Sequence, residues 1–147
     1  MAMTIALKQL DKDLPVPENA YAGDGAVDLH STKDLVLKPF ERALIPTGIA
    51  IELPLGYAAL VVPRSGLAIK HGITVVNGPG LIDSNYRGEI GVVLTNIDAN
   101  ESFEIKRGDR IAQLMIIAVE QPEFKIVEEL SETDRGAGGF GSSGVSK

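Results

Sequence analysis

The sequence has no cysteine and no tryptophan, and only two histidines among its 147 residues. Without cysteine, the chain can form neither a disulfide framework nor a thiolate zinc site. His30 and His71 have no second histidine at ligand spacing, so we expect no zinc centre. The chain also lacks a GxxxxGK[ST] loop, which excludes a P-loop nucleotide enzyme.

Long apolar runs and an excess of positive charge are missing as well. No stretch approaches the roughly 20 apolar residues of a membrane helix. The opening MAMTIALKQLDKD lacks the basic start and apolar run of a signal peptide, so we expect a cytoplasmic protein without membrane contact. The net charge of −6 argues against a protein that coats nucleic acid. A small anionic ligand would need local arginines, a metal ion or both.

What the sequence does contain is one short strand pattern after another, separated by glycine and proline. Such spacing predicts an all-β sandwich or barrel in a single domain. Only the stretch from Ser65 to Gly72 predicts helical turns, with Ser65 as the cap and Gly72 as the end. The predicted strands lie in TIALKQL, DLVLK, ALIPTGIAIELPLGYAALVVP (two strands around Pro54–Gly56), ITVVNGPGLID (a hairpin through Asn77–Gly80), GEIGVVLTNI, RIAQLMIIAVEQ and FKIVEEL.

Two features bear on assembly and domain organisation. Residues 114–119 are apolar in succession, whereas a strand with one solvated face should alternate. Either an oligomer covers the second face or a long loop does, and the pattern does not decide between them. Residues 1–130 read as the folded domain, and residues 131–147 read as a Gly/Ser-rich flexible tail.

Five residue groups could carry chemistry, and each also has an ordinary structural explanation. Asp28 in AVDL is either functional or a strand-end carboxylate. Arg64, Ser65 and Gly66 form either an anion site at a helix start or a capped turn with a solvated arginine. Gln113 in RIAQL needs hydrogen-bond partners in a buried-looking strand, and neighbouring backbone usually supplies them.

The other two groups are glycine-rich. In GPGLIDSNYRG, glycines let the backbone approach a ligand, Asp83 follows two apolar residues and is expected to be partly desolvated, and Tyr86 could lay its ring against a ligand. The alternative is an ordinary loop. The tail RGAGGFGSSG carries Arg135 and Phe140, so a polyphosphate and a flat ring could recruit a segment that is otherwise loose.

Together, and in this order, the five groups resemble the motifs of the trimeric dUTPase family (deoxyuridine triphosphate nucleotidohydrolases). The resemblance runs from about residue 20 to residue 144. It implies a jelly-roll β-sandwich that assembles as a homotrimer, with active sites between subunits. The tail would then be a lid that closes over a site built by other chains. The motifs that carry the resemblance are AVDL, PRSGLA, GLIDSNYRGEI, RIAQL and RGAGGFGSSG.

The resemblance also implies a role for each matching residue. Asp83 is expected to activate the attacking water and to contact the sugar hydroxyl, and Tyr86 to pack on deoxyribose. Asp28 is expected to hold Mg²⁺ through water, and Arg110 either binds phosphate or joins subunits. Uracil would be read by Asn77, Gly80, Leu81, Ile82 and Asp83. Phosphate ligands would be Arg64, Ser65, Gly66 and Gln113, with Arg135, Gly138, Gly139, Gly141, Ser142 and Ser143 from the lid, where Phe140 stacks on the base.

The implied reaction is Mg²⁺-assisted hydrolysis of dUTP to dUMP and pyrophosphate by in-line attack on the α-phosphorus. It would limit uracil misincorporation into DNA and supply dUMP for thymidylate synthesis. Two alternatives stay open: a dCTP deaminase-type enzyme, which would need a catalytic glutamate and a pocket that reads an amine, and a nucleotide-sensing interaction protein. A purely structural trimer would leave the arginine-bearing tail unexplained.

Overall fold

The computed structural model describes residues 3–144 and shows a nearly all-β jelly-roll sandwich. The described residues form eleven strands and one helix. The strands are β1 (Ala6–Gln9), β2 (Val27–His30), β3 (Leu35–Leu37), β4 (Arg42–Pro46), β5 (Ile49–Glu52), β6 (Tyr57–Val62), β7 (Ile73–Val75), β8 (Gly80–Ile82), β9 (Gly91–Asn96), β10 (Phe103–Ile105) and β11 (Arg110–Ala118), and the helix is α1 (Ser65–His71).

The two larger sheets have the strand orders β2-β11-β6-β8 and β4-β9-β7, and the pairs β1-β5 and β10-β3 complete the sandwich. Every pairing between them is antiparallel. Alternation along β9 shows how the sequence builds the core, because Val92, Leu94 and Asn96 are buried while the residues between them face outward. Asn96 is satisfied there by the carbonyl oxygens of Leu37 and Glu101.

The predicted hairpin through Asn77–Gly80 was wrong. β7 pairs with β9, whereas β8 pairs with β6, so the connection crosses from one sheet to the other. Pro79 has no N–H to donate to a hairpin ladder, and Gly78 instead closes a tight turn onto the Val75 carbonyl. The sequence-level turn signal was real, but its strands belong to different sheets.

Three other strand predictions need correction. The stretch before Pro54 contains two strands rather than one, because Gly48 at φ +74° breaks it between β4 and β5. The three-residue β10 was missed. FKIVEEL is not a strand in this chain, since residues 120–130 are irregular and almost wholly exposed, and no strand between residues 3 and 144 pairs with them.

The helix prediction was half right. Gly72 ends α1 in the left-handed conformation (φ +62°), and its N–H bonds the Ala68 and Leu67 carbonyls. Ser65, however, is the first helical residue, the cap position belongs to Arg64, and no side chain caps the helix. No helix in the described part of the chain has the length and apolar character of a transmembrane span.

Candidate functional site

A cleft of about 300 Å³ is lined by residues from both larger sheets. It brings together the six residues that were expected to read the base and pack on the sugar: Asn77, Gly80, Leu81, Ile82, Asp83 and Tyr86. Gly80 lets the Asn77 and Val61 side chains pack closely against the backbone of β8, because a Cβ at residue 80 would lie 3.3 Å from both the Asn77 amide nitrogen and the Val61 Cβ. The cleft is therefore formed within one chain.

Three polar residues of the cleft, Asp83, Tyr86 and Glu89, lie on the loop that follows β8. The Tyr86 amide donates to the Asp83 carbonyl at 3.1 Å, which closes a turn between the two residues. The Tyr86 hydroxyl donates to the Glu89 carbonyl at 2.9 Å. The expected partial desolvation of Asp83 is not found within this chain, where Asp83 is exposed: β8 is an edge strand, and Leu81, two residues before Asp83, is itself 59% exposed.

Sequence reasoning missed half of the cleft. The lining residues that it missed are Leu44, Val61, Val75, Glu89, Gly91 and Val93. All but Glu89 come from strands far apart in the sequence, and a strand pattern shows alternation but not which outward face meets a cavity. A signal existed only for Glu89, which stands in the same motif as Asp83 and Tyr86.

A second group of residues forms an arginine–carboxylate cluster of Asp28, Arg64 and Arg110. Arg64 Nε lies 3.2 Å from Asp28 Oδ1, and an Arg110 guanidinium nitrogen lies 3.4 Å from Asp28 Oδ2. The same Arg64 donates to the Arg110 carbonyl at 3.1 Å. One carboxylate therefore holds two guanidinium groups from residues that lie far apart in the sequence.

The surroundings of the cluster are polar and partly enclosed. Asp28 is 17% exposed, and its Oδ1 is buried without a hydrogen bond of good geometry, although Arg64 is within ion-pair distance. Burial lowers the pKa of the neighbouring His30; Asp28 acts in the opposite direction, and the two arginines lower that pKa further. His30 is thus favoured in its neutral form beside two cations.

The remaining residues of the second and fourth motifs lie next to this cluster. Gln113 is half-buried on β11, paired with Asp28 on one side and Val62 on the other. Ser65 and Gly66 are exposed at the start of α1. The cluster and the cleft line different cavities, so one chain does not bring the two groups into one site.

The tail is separate from both. Hydrogen bonds of residues 131–144 run within the tail, as in the bonds from Gly138 N–H to the Arg135 carbonyl and from Arg135 Nε to the Gly138 carbonyl. Phe140 is fully exposed. The turns of the tail enclose one open cavity of about 400 Å³. Its lining consists of Asp134, Arg135, Gly138, Ser142 and Ser143, whereas Gly139 and Gly141 do not line it.

Comparison with known proteins identifies the family. The dUTPase family model matches residues 12–144. The chain is 55% identical over 142 residues to the deoxyuridine 5′-triphosphate nucleotidohydrolase of Rhodococcus erythropolis, covering 97% of this chain and 87% of that protein. It is 54% identical to the enzyme of the same name from Nautilia profundicola, covering 97% of this chain and 99% of that protein.

Solved structures agree with the family match. The fold is similar to that of Staphylococcus bacteriophage 80alpha dUTPase with dUpNHpp, with a TM-score of 0.90, 34% identity, and coverage of 98% of this chain and 100% of that one. It is also similar to a mutant dUTPase from phage phi11 of S. aureus, whose structure reveals the coordination of a structural Mg(II) ion. There the TM-score is 0.81 at 28% identity, with coverage of 88% of this chain and 100% of that one. The chain belongs to the dUTPase family.

Proposed function

We propose that this member of the dUTPase family hydrolyses dUTP to dUMP and pyrophosphate. The observation that carries the proposal is the cleft, in which an exposed carboxylate, an aromatic ring and a free strand edge face one space of about 300 Å³. Those are the groups needed to activate a water, to pack on a sugar and to read a base. The relatives named above are enzymes with this activity by name.

The base would be read by the backbone of β8. Among the described residues β8 has a neighbouring strand only on its β6 side, so its other edge leaves N–H and C=O groups free for a planar partner. Uracil offers alternating donors and acceptors on such an edge. Asn77 adds a side-chain amide at one end of the cleft, and Gly80, Leu81 and Ile82 supply the strand.

Asp83 is the proposed catalytic base. Its carboxylate lies at the end of β8 and is accessible to water, as a base that activates a solvent molecule must be. In this reaction it would hold one water, accept its proton and direct the oxygen at the α-phosphorus, while also contacting the sugar hydroxyl. Tyr86 would pack on the deoxyribose, where a 2′-hydroxyl would clash.

The arginine–carboxylate cluster and the tail would take the triphosphate. Arg64 is pre-positioned by Asp28 and by the Arg110 carbonyl, and Gln113 lies on the adjacent strand. Ser65, Gly66 and the tail residues add hydroxyl and amide donors. Charge-assisted hydrogen bonds contribute roughly 1.5–3 kcal/mol each, which would offset the cost of ordering the tail.

The donors present in the cluster fit a Mg²⁺ ion that is held jointly by Asp28, water and the substrate phosphates rather than by protein side chains alone. The described residues contain no group of three or more metal-ligating side chains, but Asp28 keeps a buried oxygen without a hydrogen bond. Mg²⁺ retains several waters and is often bound through one carboxylate and substrate phosphates. Asp28 would therefore hold the ion through water, and the bound ion would neutralise phosphate charge.

A homotrimer with shared sites is part of the proposal. The support is a segment of residues 120–130 whose large apolar side chains have nothing to pack against in one chain: Phe124 is 92% exposed and Ile126 is 97% exposed. The separation of cleft, cluster and tail points the same way. Residues 1–130 would form the domain and residues 131–147 the lid; residues 1–2 and 145–147 lie outside the described part of both.

The test is pyrophosphate release with dUTP, dTTP, dCTP and UTP in the presence of Mg²⁺. We expect rapid release from dUTP alone. Release that ignores the base would refute the reading of uracil by β8, and ammonia release from dCTP would indicate a deaminase. Absence of release from every nucleotide, with a folded oligomer, would favour the nucleotide-sensing alternative.

A further inference from the structure

The ring of Tyr86 is fixed more firmly than its position suggests. Tyr86 is 44% exposed and lies on a loop between β8 and β9, where side chains are usually free to move. Two local features hold it. Its hydroxyl donates to the Glu89 carbonyl at 2.9 Å, and the ring folds back over Gly88.

Gly88 is needed for that fold. A Cβ at this residue would lie 2.4 Å from the Tyr86 hydroxyl oxygen and 2.6 Å from the ring carbon that bears it. A Cβ does not approach non-bonded heavy atoms so closely, so any other residue at this position would displace the ring. The backbone of Gly88 is not in the left-handed region, so glycine is required here for space rather than for conformation.

Glu89 connects the ring to the buried sheets. Its carboxylate Oε1 accepts the Gly48 N–H at 2.9 Å. The next residue, Ile90, is fully buried and is bonded on both sides: its N–H donates to the Ile49 carbonyl at 2.8 Å, and its carbonyl accepts the Thr47 N–H at 3.1 Å. The Glu89 carbonyl that receives the Tyr86 hydroxyl is therefore held by the core.

We infer that Gly88 and Glu89 are positioning residues that set the selectivity of the cleft for the 2′-position of the sugar. Steric exclusion of a hydroxyl group works only if the excluding ring cannot retreat, and a displacement of about 1 Å is enough to change reactivity strongly. Gly88 and Glu89 prevent that retreat by holding the ring in place. The inference rests on the proposed function, in which Tyr86 packs on deoxyribose.

The experiment compares kcat/KM for dUTP and UTP in variants of the full-length chain. Gly88→Ala should lower the dUTP:UTP ratio by about tenfold or more, because the new methyl group moves the ring. Glu89→Ala should lower the ratio by about threefold to tenfold, as expected for the loss of one anchoring hydrogen bond. Glu89→Gln keeps an oxygen that can accept from Gly48 and should stay close to the wild-type ratio.

Controls separate this effect from general damage. Gly25→Ala adds a methyl group where no atom lies within 4 Å and should leave the ratio as it is. The dUTP:dCTP ratio should also be kept in the Gly88 and Glu89 variants, because β8 reads the base independently of the ring. A merely structural role would lower activity on all nucleotides in proportion and leave both ratios unaltered.

The inference is overturned if Gly88→Ala folds and retains the wild-type dUTP:UTP ratio, or if Glu89→Gln is as unselective as Glu89→Ala. If Gly88→Ala does not fold, the two Glu89 variants decide the question alone. Failure of the proposed function looks different, because the unaltered chain would then release no pyrophosphate from dUTP.

Discussion

The cleft and the tail solve opposite problems with the same residue type. At the cleft, Gly80 in the lining and Gly88 beside the Tyr86 ring carry no Cβ, so that other groups can pack closely, and the result is a formed space. In the tail, Gly136 and Gly141 at φ +52° and +87° let the chain turn back on itself, and the result is an exposed segment bonded to nothing but itself. In the proposed function, the formed cleft would select the nucleoside, whereas the exposed tail would leave room for substrate to enter and product to leave.

The largest effect on turnover should come from removing the negative charge of Asp83 in the cleft. Asp83→Asn keeps the size of the side chain but loses the base, so turnover should fall by about 10³-fold or more. Nucleotide affinity should stay within about threefold, since the cleft itself is unchanged. Single-turnover kinetics and calorimetric titration with a non-hydrolysable analogue measure the two quantities.

Asp13→Asn is the matched control, because the Asp13 side chain is 94% exposed and lies away from the cleft. Near-normal turnover in Asp83→Asn would contradict the assignment of the base.

The sequence predicted the all-β class, the position of α1 and its end at Gly72, and the motif residues that meet in the cleft. The first two features depend on local pattern, which periodicity and glycine placement reveal, whereas the cleft residues followed from the resemblance to the dUTPase motifs. The sequence did not reveal which strands pair with each other. The pattern of β7 and β8 is typical of a hairpin, although each joins a different sheet, and FKIVEEL has the composition of a strand but pairs with none of the described strands. Leu44 and Val93 could not be placed in a cleft because alternation does not say what lies outside a sheet.

Truncating a core side chain should lower the free energy of unfolding of the β-sandwich domain. Ile90 is fully buried beside the anchor of Tyr86, and Ile90→Ala should lower the free energy of unfolding by about 2–5 kcal/mol. Ile69→Ala, at a side chain 85% exposed, should change it by less than about 0.5 kcal/mol. Urea unfolding at one fixed protein concentration measures both, and equal losses would contradict the assignment of the core.

Within the tail, Phe140→Ala should act on substrate binding alone. Stacking of a base on an aromatic ring contributes about 1–3 kcal/mol, so KM for dUTP should rise by about tenfold. Unfolding in urea should not change, because the side chain is fully exposed. An unaltered KM would mean that Phe140 does not reach the base. Tyr21→Ala, at an exposed aromatic residue outside the tail, is the control.

The smallest effect is expected on stability, from the ion pair between Asp11 and Arg107 on two loops of the folded domain. An Arg107 guanidinium nitrogen lies 2.9 Å from Asp11 Oδ1, and this hydrogen bond is the main reason that the pKa of Asp11 is below its ordinary value of 3.8. A lowered folded-state pKa gives stability that is present above the ordinary value and is lost as pH falls through the folded value.

Asp11→Asn should therefore lower stability slightly at neutral pH and flatten its decline below about pH 4. Urea midpoints between pH 2 and pH 7 measure this dependence. An acid decline as steep in Asp11→Asn as in the unaltered chain would show that this ion pair does not contribute to it.

In the proposed enzyme, the cleft of one chain is completed by the tail of another. The most direct test mixes two inactive variants, Asp83→Asn and a chain ending at Thr133, after unfolding and joint refolding in equal amounts. If cleft and tail come from different chains, about a quarter of all sites in random trimers combine an intact Asp83 with an intact tail, and pyrophosphate release from dUTP returns to about that fraction of the wild-type rate. If mixed trimers form and release stays at the level of the separate variants, the tail serves its own chain and the claim is wrong.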